Sequence, residues 1–404
     1  VSASERWLSI IGIGEDGLDG LSPAARTLIA QASLVVGGRR HLSLVAGATR
    51  GETLAWPSPP QAAFPAILAR RGTSVCVVAT GDPFFYGIGS LLAREVPAEQ
   101  MICLPSASSF SLAASRLGWA LQHCALVTLH GRALERIIPY LQPRARILAL
   151  SWDQTTPRQL AQLLVRQGCG DTSIIVCEAM GGPRERLRSA QADDFALEDI
   201  DPLNLVALEL TAAQRARIIP LVPGLPDAWF EHDGQLTKQD IRAVTLAALA
   251  PRQGELLWDI GAGSGAVGIE WMLTHPSNRA VAIERDAVRT GRIARNASAL
   301  GVPELSIVEG SAPGVLQGLP QPDAIFIGGG ATDRTIDTAW DALPSGGRLV
   351  VNSVTIETQT ELIRRFNELG GSLKTIQIAH AAPIGGFNAL RPAMTVTQWS
   401  ITKP

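Results

Sequence analysis

Cysteine, histidine and tyrosine are scarce in this chain: five Cys, six His and two Tyr among 404 residues. Cys76, Cys103, Cys124, Cys169 and Cys177 form no Cys-x-x-Cys pair and no His-rich tract accompanies them, so neither a zinc motif nor a disulfide framework is expected. They read as buried thiols of a cytoplasmic protein, and no metal site is anticipated. No apolar run reaches the about 18 residues of a membrane span. Val1 to Trp7 lacks the basic and apolar regions of a signal peptide, so a cytosolic location away from membranes is expected. Positive charge is not in excess either, with 35 Lys and Arg against 37 Asp and Glu. That balance argues against a nucleic-acid-binding surface, but it leaves room for a few local arginines facing a small anionic substrate.

What the chain has is apolar bulk and glycine: 46% hydrophobic residues and 39 glycines. A chain of this length exceeds one ordinary core, so two α/β domains are expected. The most informative stretch is Trp258-Asp259-Ile260-Gly261-Ala262-Gly263-Ser264-Gly265. The apolar run Leu256 to Trp258 predicts a strand ending in an acidic residue and a glycine turn, with a helix from Ala266 to Leu273. About 20 residues later a second strand ends in Glu284, where a carboxylate suits the two hydroxyls of a ribose. Dinucleotide-binding folds share this pattern, and a tight turn without a ligand is a further reading. Asp259 would sit close to a pyrophosphate, however, whereas it suits the cationic amino-acid end of S-adenosylmethionine (SAM).

In the first half, Leu8 to Gly14 predicts a strand ending in glycines, and Ser22 with Pro23 predicts a capped helix start. Strands are expected at Ala32 to Val36 and Val75 to Ala79, and the alternation with helices predicts a parallel sheet. The loop Thr80 to Gly89 leaves the carboxyl end of a buried strand, where open α/β sheets place ligands, although Gly-Asp-Pro is also an ordinary turn. Pro105 to Phe110 opens a helix with free amides and hydroxyls.

Ile11-Gly12-Ile13-Gly14, Val36-Gly37-Gly38-Arg39, Gly81-Asp82-Pro83 with Tyr86-Gly87, Pro105 to Ser109, and Leu129-His130-Gly131-Arg132 occur in the order found in tetrapyrrole methylases. Over about residues 7–211 the chain resembles that family, in particular its precorrin C-5 methyltransferase branch of cobalamin synthesis. The resemblance implies a two-lobed α/β fold with SAM between the lobes. By motif position, Gly81, Asp82, Pro83, Ser108, Ser109, Met180 and Leu205 would line that cleft, core packing being the other reading of Met180 and Leu205. His130 and Arg132 would meet substrate carboxylates or lie on a solvated loop.

Prolines at 220, 223 and 226 resist both sheet and helix, so residues 212–228 are expected to link domains 1–211 and 229–404. Beyond them Thr237 is expected to cap a helix, with Asp240 three residues on. This segment, the glycine motif, Glu309-Gly310-Ser311-Ala312-Pro313, Phe326 to Gly330 and Gly346 to Asn352 resemble the precorrin C-15 methyltransferase and decarboxylase, a Rossmann-like class I SAM-dependent methyltransferase. By position, Thr237, Asp259, Gly261, Ala262, Gly263, Ser264, Gly265, Glu284 and Ala312 would contact SAM. Ser311 departs from the pattern, standing where an acidic residue is often found.

The two families in this order are similar to the fused methyltransferases of cobalamin synthesis. That implies methylation of precorrin-6B at carbons 5 and 15 with loss of carbon dioxide from the ring C acetate, giving precorrin-8. It also implies two SAM sites and self-association. An electron-rich carbon of the macrocycle attacks the methyl group, so no protein nucleophile is needed and orientation dominates. Arg242 at the cofactor entrance and Arg391 are candidates for substrate carboxylates, and His380 and Asn352 for proton placement. The alternatives are an RNA methyltransferase with an accessory domain, and a first half that binds a tetrapyrrole without catalysis.

Overall fold

A computed structural model describes residues 6–404. Tertiary contacts divide the chain into two compact units, residues 1–134 with 140–217, and residues 135–139 with 218–404.

The first unit carries two five-stranded sheets. Strands β1 (Leu8–Ile13), β2 (Leu34–Gly37), β3 (Glu52–Ala55), β4 (Val75–Thr80) and β5 (Met101–Leu104) form the first, in the order β3-β2-β4-β1-β5 and parallel throughout. β1 and β4 are apolar on both faces and pack there into separate clusters, Ile10 with Val77 on one side and Ile11 with Val78 on the other. This two-sided burial is what reads as an unbroken hydrophobic run. Ser22 caps the helix Pro23–Gln31 as expected, its Oγ accepting from the Ala25 amide at 3.2 Å.

The second sheet holds β6 (Cys124–Thr128), β7 (Arg146–Leu150), β8 (Ser173–Glu178), β9 (Arg186–Gln191) and β10 (Asn204–Glu209), in the order β6-β7-β10-β8-β9. Only β6 and β7 run parallel, and the pairs β7–β10, β10–β8 and β8–β9 are antiparallel. The parallel sheet expected from alternation therefore holds for the first lobe alone. Beyond Glu178 the chain reaches β9 through a short turn instead of a helix, which permits only an antiparallel return.

The second unit is a seven-stranded sheet, β13-β12-β11-β14-β15-β19-β16, built from β11 (Leu256–Ile260), β12 (Arg279–Glu284), β13 (Ser306–Glu309), β14 (Ala324–Ile327), β15 (Arg348–Ser353), β16 (Ser372–Ile376) and β19 (Val396–Thr402). β11 to β15 are mutually parallel, while β19 runs antiparallel to both β15 and β16. The order turns back at β11, creating a switch point at its carboxyl end beside β14. An exposed hairpin, β17 (Ala379–Ile384) and β18 (Phe387–Pro392), stands apart from this sheet.

The helix Gln239–Leu249 corrects one expectation. Its N-cap is Lys238 and makes no side-chain cap bond, so Thr237 lies one residue too early to serve.

Candidate functional sites

The glycine motif of the second unit leaves β11 at the switch point. Gly261, Gly263 and Gly265 have φ of +69°, +60° and +77°, backbone that a side chain would strain. A Cβ on Gly263 would lie 2.8 Å from the Gln235 carbonyl oxygen, and one on Gly261 within 2.9 Å of the Gly329 backbone. The turn is anchored by the Gly261 and Ala262 amides, both donating to the Ile283 carbonyl. The helix Ala266–Leu273 follows directly.

Two buried carboxylates flank this turn. Glu284 Oε2 accepts from the Gly263 amide at 2.9 Å and Oε1 from the Asp286 amide at 3.1 Å. Asp259 Oδ2 accepts from the Gly268 amide at 2.9 Å, while Oδ1 is buried without a partner among the described residues. Burial pushes the Asp259 carboxyl up to about 7; the Gly268 bond offsets this in part and the Glu284 charge adds to it. Ser264 is buried and its hydroxyl has no partner among the described residues, and its carbonyl accepts from Asn296. Thr237 and Ala312 are half-buried, and Ser311 is exposed.

Arg242 does not present its guanidinium to a substrate. It is fully buried, with Nε donating to Glu270 Oε1 at 2.5 Å, Nη1 to Asp227 Oδ1 at 3.2 Å and to the Thr237 carbonyl, and Nη2 to the Leu225 carbonyl. Every guanidinium nitrogen is engaged, so none remains for a substrate. Asn352 is similarly engaged: Nδ2 donates to Thr245 Oγ1 at 2.8 Å and Oδ1 accepts from Gln398 at 2.9 Å. His380 and Arg391 are opposite one another on the exposed hairpin, His380 lying 3.6 Å from the Asp240 carboxylate.

In the first unit the loops after β1, β4 and β5 converge. A Cβ on Gly12 would lie 1.9 Å from the Gly81 oxygen and 2.5 Å from the Ser106 nitrogen, an approach open only to glycine. The Ser106 amide donates to the Gly81 carbonyl at 3.0 Å, and Gly81 has φ +56° with its Cα side against Ser108. Gly81-Asp82-Pro83 and Ser108-Ser109 thus come together. Asp82 Oδ1 accepts from the Phe84 amide, and Ser108 caps the helix Ser109–Leu117 by accepting from the Ser111 amide. Met180 and Leu205 are both buried in one cluster with Phe110 and Leu148, in keeping with the core-packing reading of the two. His130 and Arg132 are exposed, and the His130 ring lies 6.3 Å from that of Trp152.

Sequence reasoning missed an ionic cluster at the same end of the first unit. Glu15, after β1, pairs with Arg40 and Arg184, and Arg184 also pairs with Asp201. Arg40 Nη2 donates to Thr80 Oγ1 at 2.9 Å, and His41 Nε2 lies 2.7 Å from the same hydroxyl. Burial, then the neighbouring Arg40 charge, pushes His41 down to about 4. Its members lie up to 186 residues apart, and only the Arg-rich run after Gly37-Gly38 hinted at it.

The five cysteines are unpaired; Cys76, Cys169 and Cys177 are buried as expected, whereas Cys103 and Cys124 are partly exposed because they lie on the edge strands β5 and β6. Burial pushes the Cys76 and Cys177 thiols up to about 12, far from reactive thiolates. No helix among the described residues is long and apolar enough to cross a membrane.

A family model described as tetrapyrrole (corrin/porphyrin) methylases matches residues 8–196, and one described as a precorrin methyltransferase domain matches residues 228–403. The chain is 54% identical over 398 residues to a precorrin-6Y C(5,15)-methyltransferase (decarboxylating) from Sinorhizobium sp, covering 98% of this chain and 96% of that one. It is 40% identical over 403 residues to the protein of the same name from Mycobacterium tuberculosis (strain ATCC 25618 / H37Rv), covering 98% and 99%. A solved C-terminal domain of precorrin-6Y C5,15-methyltransferase from Rhodobacter capsulatus is 45% identical, covers 46% of this chain and 100% of that one, and has a TM-score of 0.44. The chain, a two-lobed tetrapyrrole methylase domain followed by a Rossmann-like class I methyltransferase domain, belongs to the family of decarboxylating precorrin-6Y C(5,15)-methyltransferases, which use SAM.

Proposed function

We propose that this protein methylates precorrin-6B at carbon 5 in its first domain and at carbon 15 in its second, removing the ring C acetate carboxyl and giving precorrin-8 on the route to cobalamin. Near-full-length similarity to decarboxylating precorrin-6Y C(5,15)-methyltransferases carries this reading. Incubation with precorrin-6B and SAM followed by product mass tests it: two added methyl groups and one lost carbon dioxide are expected, and recovery of unchanged substrate would overturn it. We further propose domains 1–211 and 229–404 joined through 212–228, each with its own SAM site. Calorimetry should find two equivalents of SAM, against one for a non-catalytic first half.

In the second domain, the residues fit SAM on three counts. The positive-φ turn lets backbone approach a nucleoside, Glu284 retains acceptor capacity for ribose hydroxyls, and the unpartnered Asp259 Oδ1 awaits a cationic donor. Ala262, Ser264 and Gly265 complete the turn, with Thr237 and Ala312 at its margin. In the first domain the joined loops at Gly81 to Pro83 and at Ser108 and Ser109 form the corresponding cradle, its Met180 and Leu205 acting only as the packed floor.

SAM supplies an electrophilic methyl group when bound. The chain's own part is to hold that group in line with a nucleophilic carbon of the macrocycle and to keep water out, which accounts for about 7–11 kcal/mol of such a barrier. The substrate supplies the electrons. Decarboxylation needs an electron sink, which a protonated imine of the macrocycle provides. Arg391 on the hairpin, with His130 and Arg132 in the first domain, remain the proposed partners of substrate carboxylates, and His380 beside Arg391 the proposed group for proton placement; Asn352 acts only through Thr245 and Gln398.

The unpaired thiols support a cytosolic enzyme. The hairpin exposes Ile384, Phe387 and Leu390, which supports self-association through that element. Sedimentation of an Ile384→Asp, Phe387→Asp double variant should shift toward the monomer, and an unchanged assembly would refute this role.

A further inference from the structure

Large aromatic side chains left in water call for an explanation, and those of the first unit are confined to one end of its fold. Among the described residues of that unit they are Phe84, Phe85, Tyr86 and Trp152, with 45%, 38%, 56% and 58% exposure. The first three follow β4 and Trp152 follows β7. Both loops leave the carboxyl ends of their strands, and these ends face one another. Gly182, after β8, packs against Glu15, after β1, closely enough that a Cβ would lie 2.4 Å from the Glu15 Cβ. Arg184 ties Glu15 to Asp201, and Asn204 Nδ2 donates to the Asp201 and Asp153 carbonyls at 2.9 and 3.2 Å, joining the Trp152 loop to the same end.

The loop after β4 is wound under strain to hold its rings outward. Tyr86 has φ +56°, backbone that disfavours a bulky side chain. It is held there by the Gly89 amide donating to the Pro83 carbonyl at 2.8 Å and by its own hydroxyl donating to the Leu126 carbonyl at 3.3 Å. Phe85 packs on Phe110 with ring centroids 5.3 Å apart, leaving Phe84 and Tyr86 as the more open pair. Strain of this kind persists where it serves a site. The same loop begins with Gly81-Asp82-Pro83, which we assign to the cofactor cradle.

We propose that Phe84, Tyr86 and Trp152 form an aromatic ledge that receives one face of the partly conjugated tetrapyrrole for methylation at carbon 5. This rests on the assignment of that methylation to the first domain. Aromatic rings stack on a broad π system with geometry that aliphatic side chains do not offer. Arg40 and Arg184 lie at the same end, where their ion pairs with Glu15 and Asp201 fix the loops around the ledge. The ledge continues from the loop assigned to the cofactor cradle, so its occupant is the methyl acceptor and not a second copy of the chain.

The test uses the full chain with Trp152→Ala, Phe84→Ala and Tyr86→Leu, each beside Trp152→Phe as the conservative control. Absorbance titration with precorrin-6B should show the first-domain site weakened by about 2- to 12-fold in each truncated variant, with Trp152→Phe retaining most of the affinity that Trp152→Ala loses. KM for carbon-5 methylation should rise in parallel with SAM affinity unchanged. Unchanged tetrapyrrole affinity in a folded protein that still methylates carbon 5 overturns the ledge and leaves the domain assignment standing. Weakened binding with no carbon-5 methylation even in the parent chain sinks the assignment and keeps the ledge. A shift in sedimentation with unaltered affinity assigns these rings to contacts between copies, and also overturns the proposal.

Discussion

The Gly263 amide donates to Glu284 Oε2 at 2.9 Å across 21 residues of sequence, fixing the glycine turn after β11 to the end of β12. One carboxylate therefore orders the turn and, with its remaining lone pairs, stays available to a ribose. Glu284→Gln should retain one acceptor oxygen for the turn but weaken SAM binding in the second domain by about tenfold, the loss of one charge-assisted hydrogen bond. Calorimetry that still found two equal SAM sites would refute the assignment.

Gly263→Leu should abolish methylation at carbon 15 while leaving that at carbon 5. The substitution forces φ +60° on a branched residue and drives its Cβ to within 2.8 Å of the Gln235 oxygen. The backbone term alone costs about 1–3 kcal/mol. Product mass should show one added methyl group, and two would mean that this turn does not carry the chemistry.

SAM binding in the second domain should release a proton. Asp259 is raised to about 7, so near neutrality a substantial fraction is protonated, and a cation bound at Oδ1 favours the carboxylate. Affinity should then rise with pH up to about 7 and level off above it. Calorimetry in buffers of different ionisation enthalpy measures the release, and none would be seen if Asp259 faced no cation. In the free protein the sign is opposite for folding: between the ordinary carboxyl value and about 7 the folded state holds a proton that the unfolded state has lost, so this group lowers stability as pH rises through that window.

Arg242→Ala should act on stability and not on substrate affinity. Removing the guanidinium leaves the buried Glu270 carboxylate with only the Gly224 and Leu225 amides, and breaking such a pair costs about 3–5 kcal/mol. Urea denaturation reads the loss. A raised KM at unchanged stability would restore this arginine to the substrate.

His41 predicts an acid-sensitive first domain. Its folded value of about 4 lies below the ordinary 6.5, so its contribution to stability is complete above 6.5 and is lost as pH falls toward 4. His41→Gln should flatten that part of the urea-midpoint profile, and a parent profile already flat from pH 7 to 4.5 would contradict it.

Much of the site architecture was legible because it is local. A strand, a turn requiring positive φ and a helix lie together in Leu256 to Leu273, and Ser22 with Pro23 likewise fixes a helix start within four residues. Short strands were harder: β3, exposed at one edge, carries little apolar signal. Arg242 was misread because its partner Glu270 lies 28 residues away on another helix, and charge in a sequence looks the same whether it meets water or a buried carboxylate. Met180, in the turn after β8, and Leu205, in β10, share an interior that depends on antiparallel pairing, which alternation did not predict. The Glu15, Arg40, Arg184 and Asp201 cluster joins four segments, and no spacing rule spans them.

The strand β19 follows β16 in the chain and yet lies between β15 and β16. Until residues 396–402 have left the ribosome, β15 lacks one neighbour and β16 lacks its ladder partner, so this sheet cannot close before they emerge. A stop codon before Val396 would therefore split the sheet from within instead of trimming its edge.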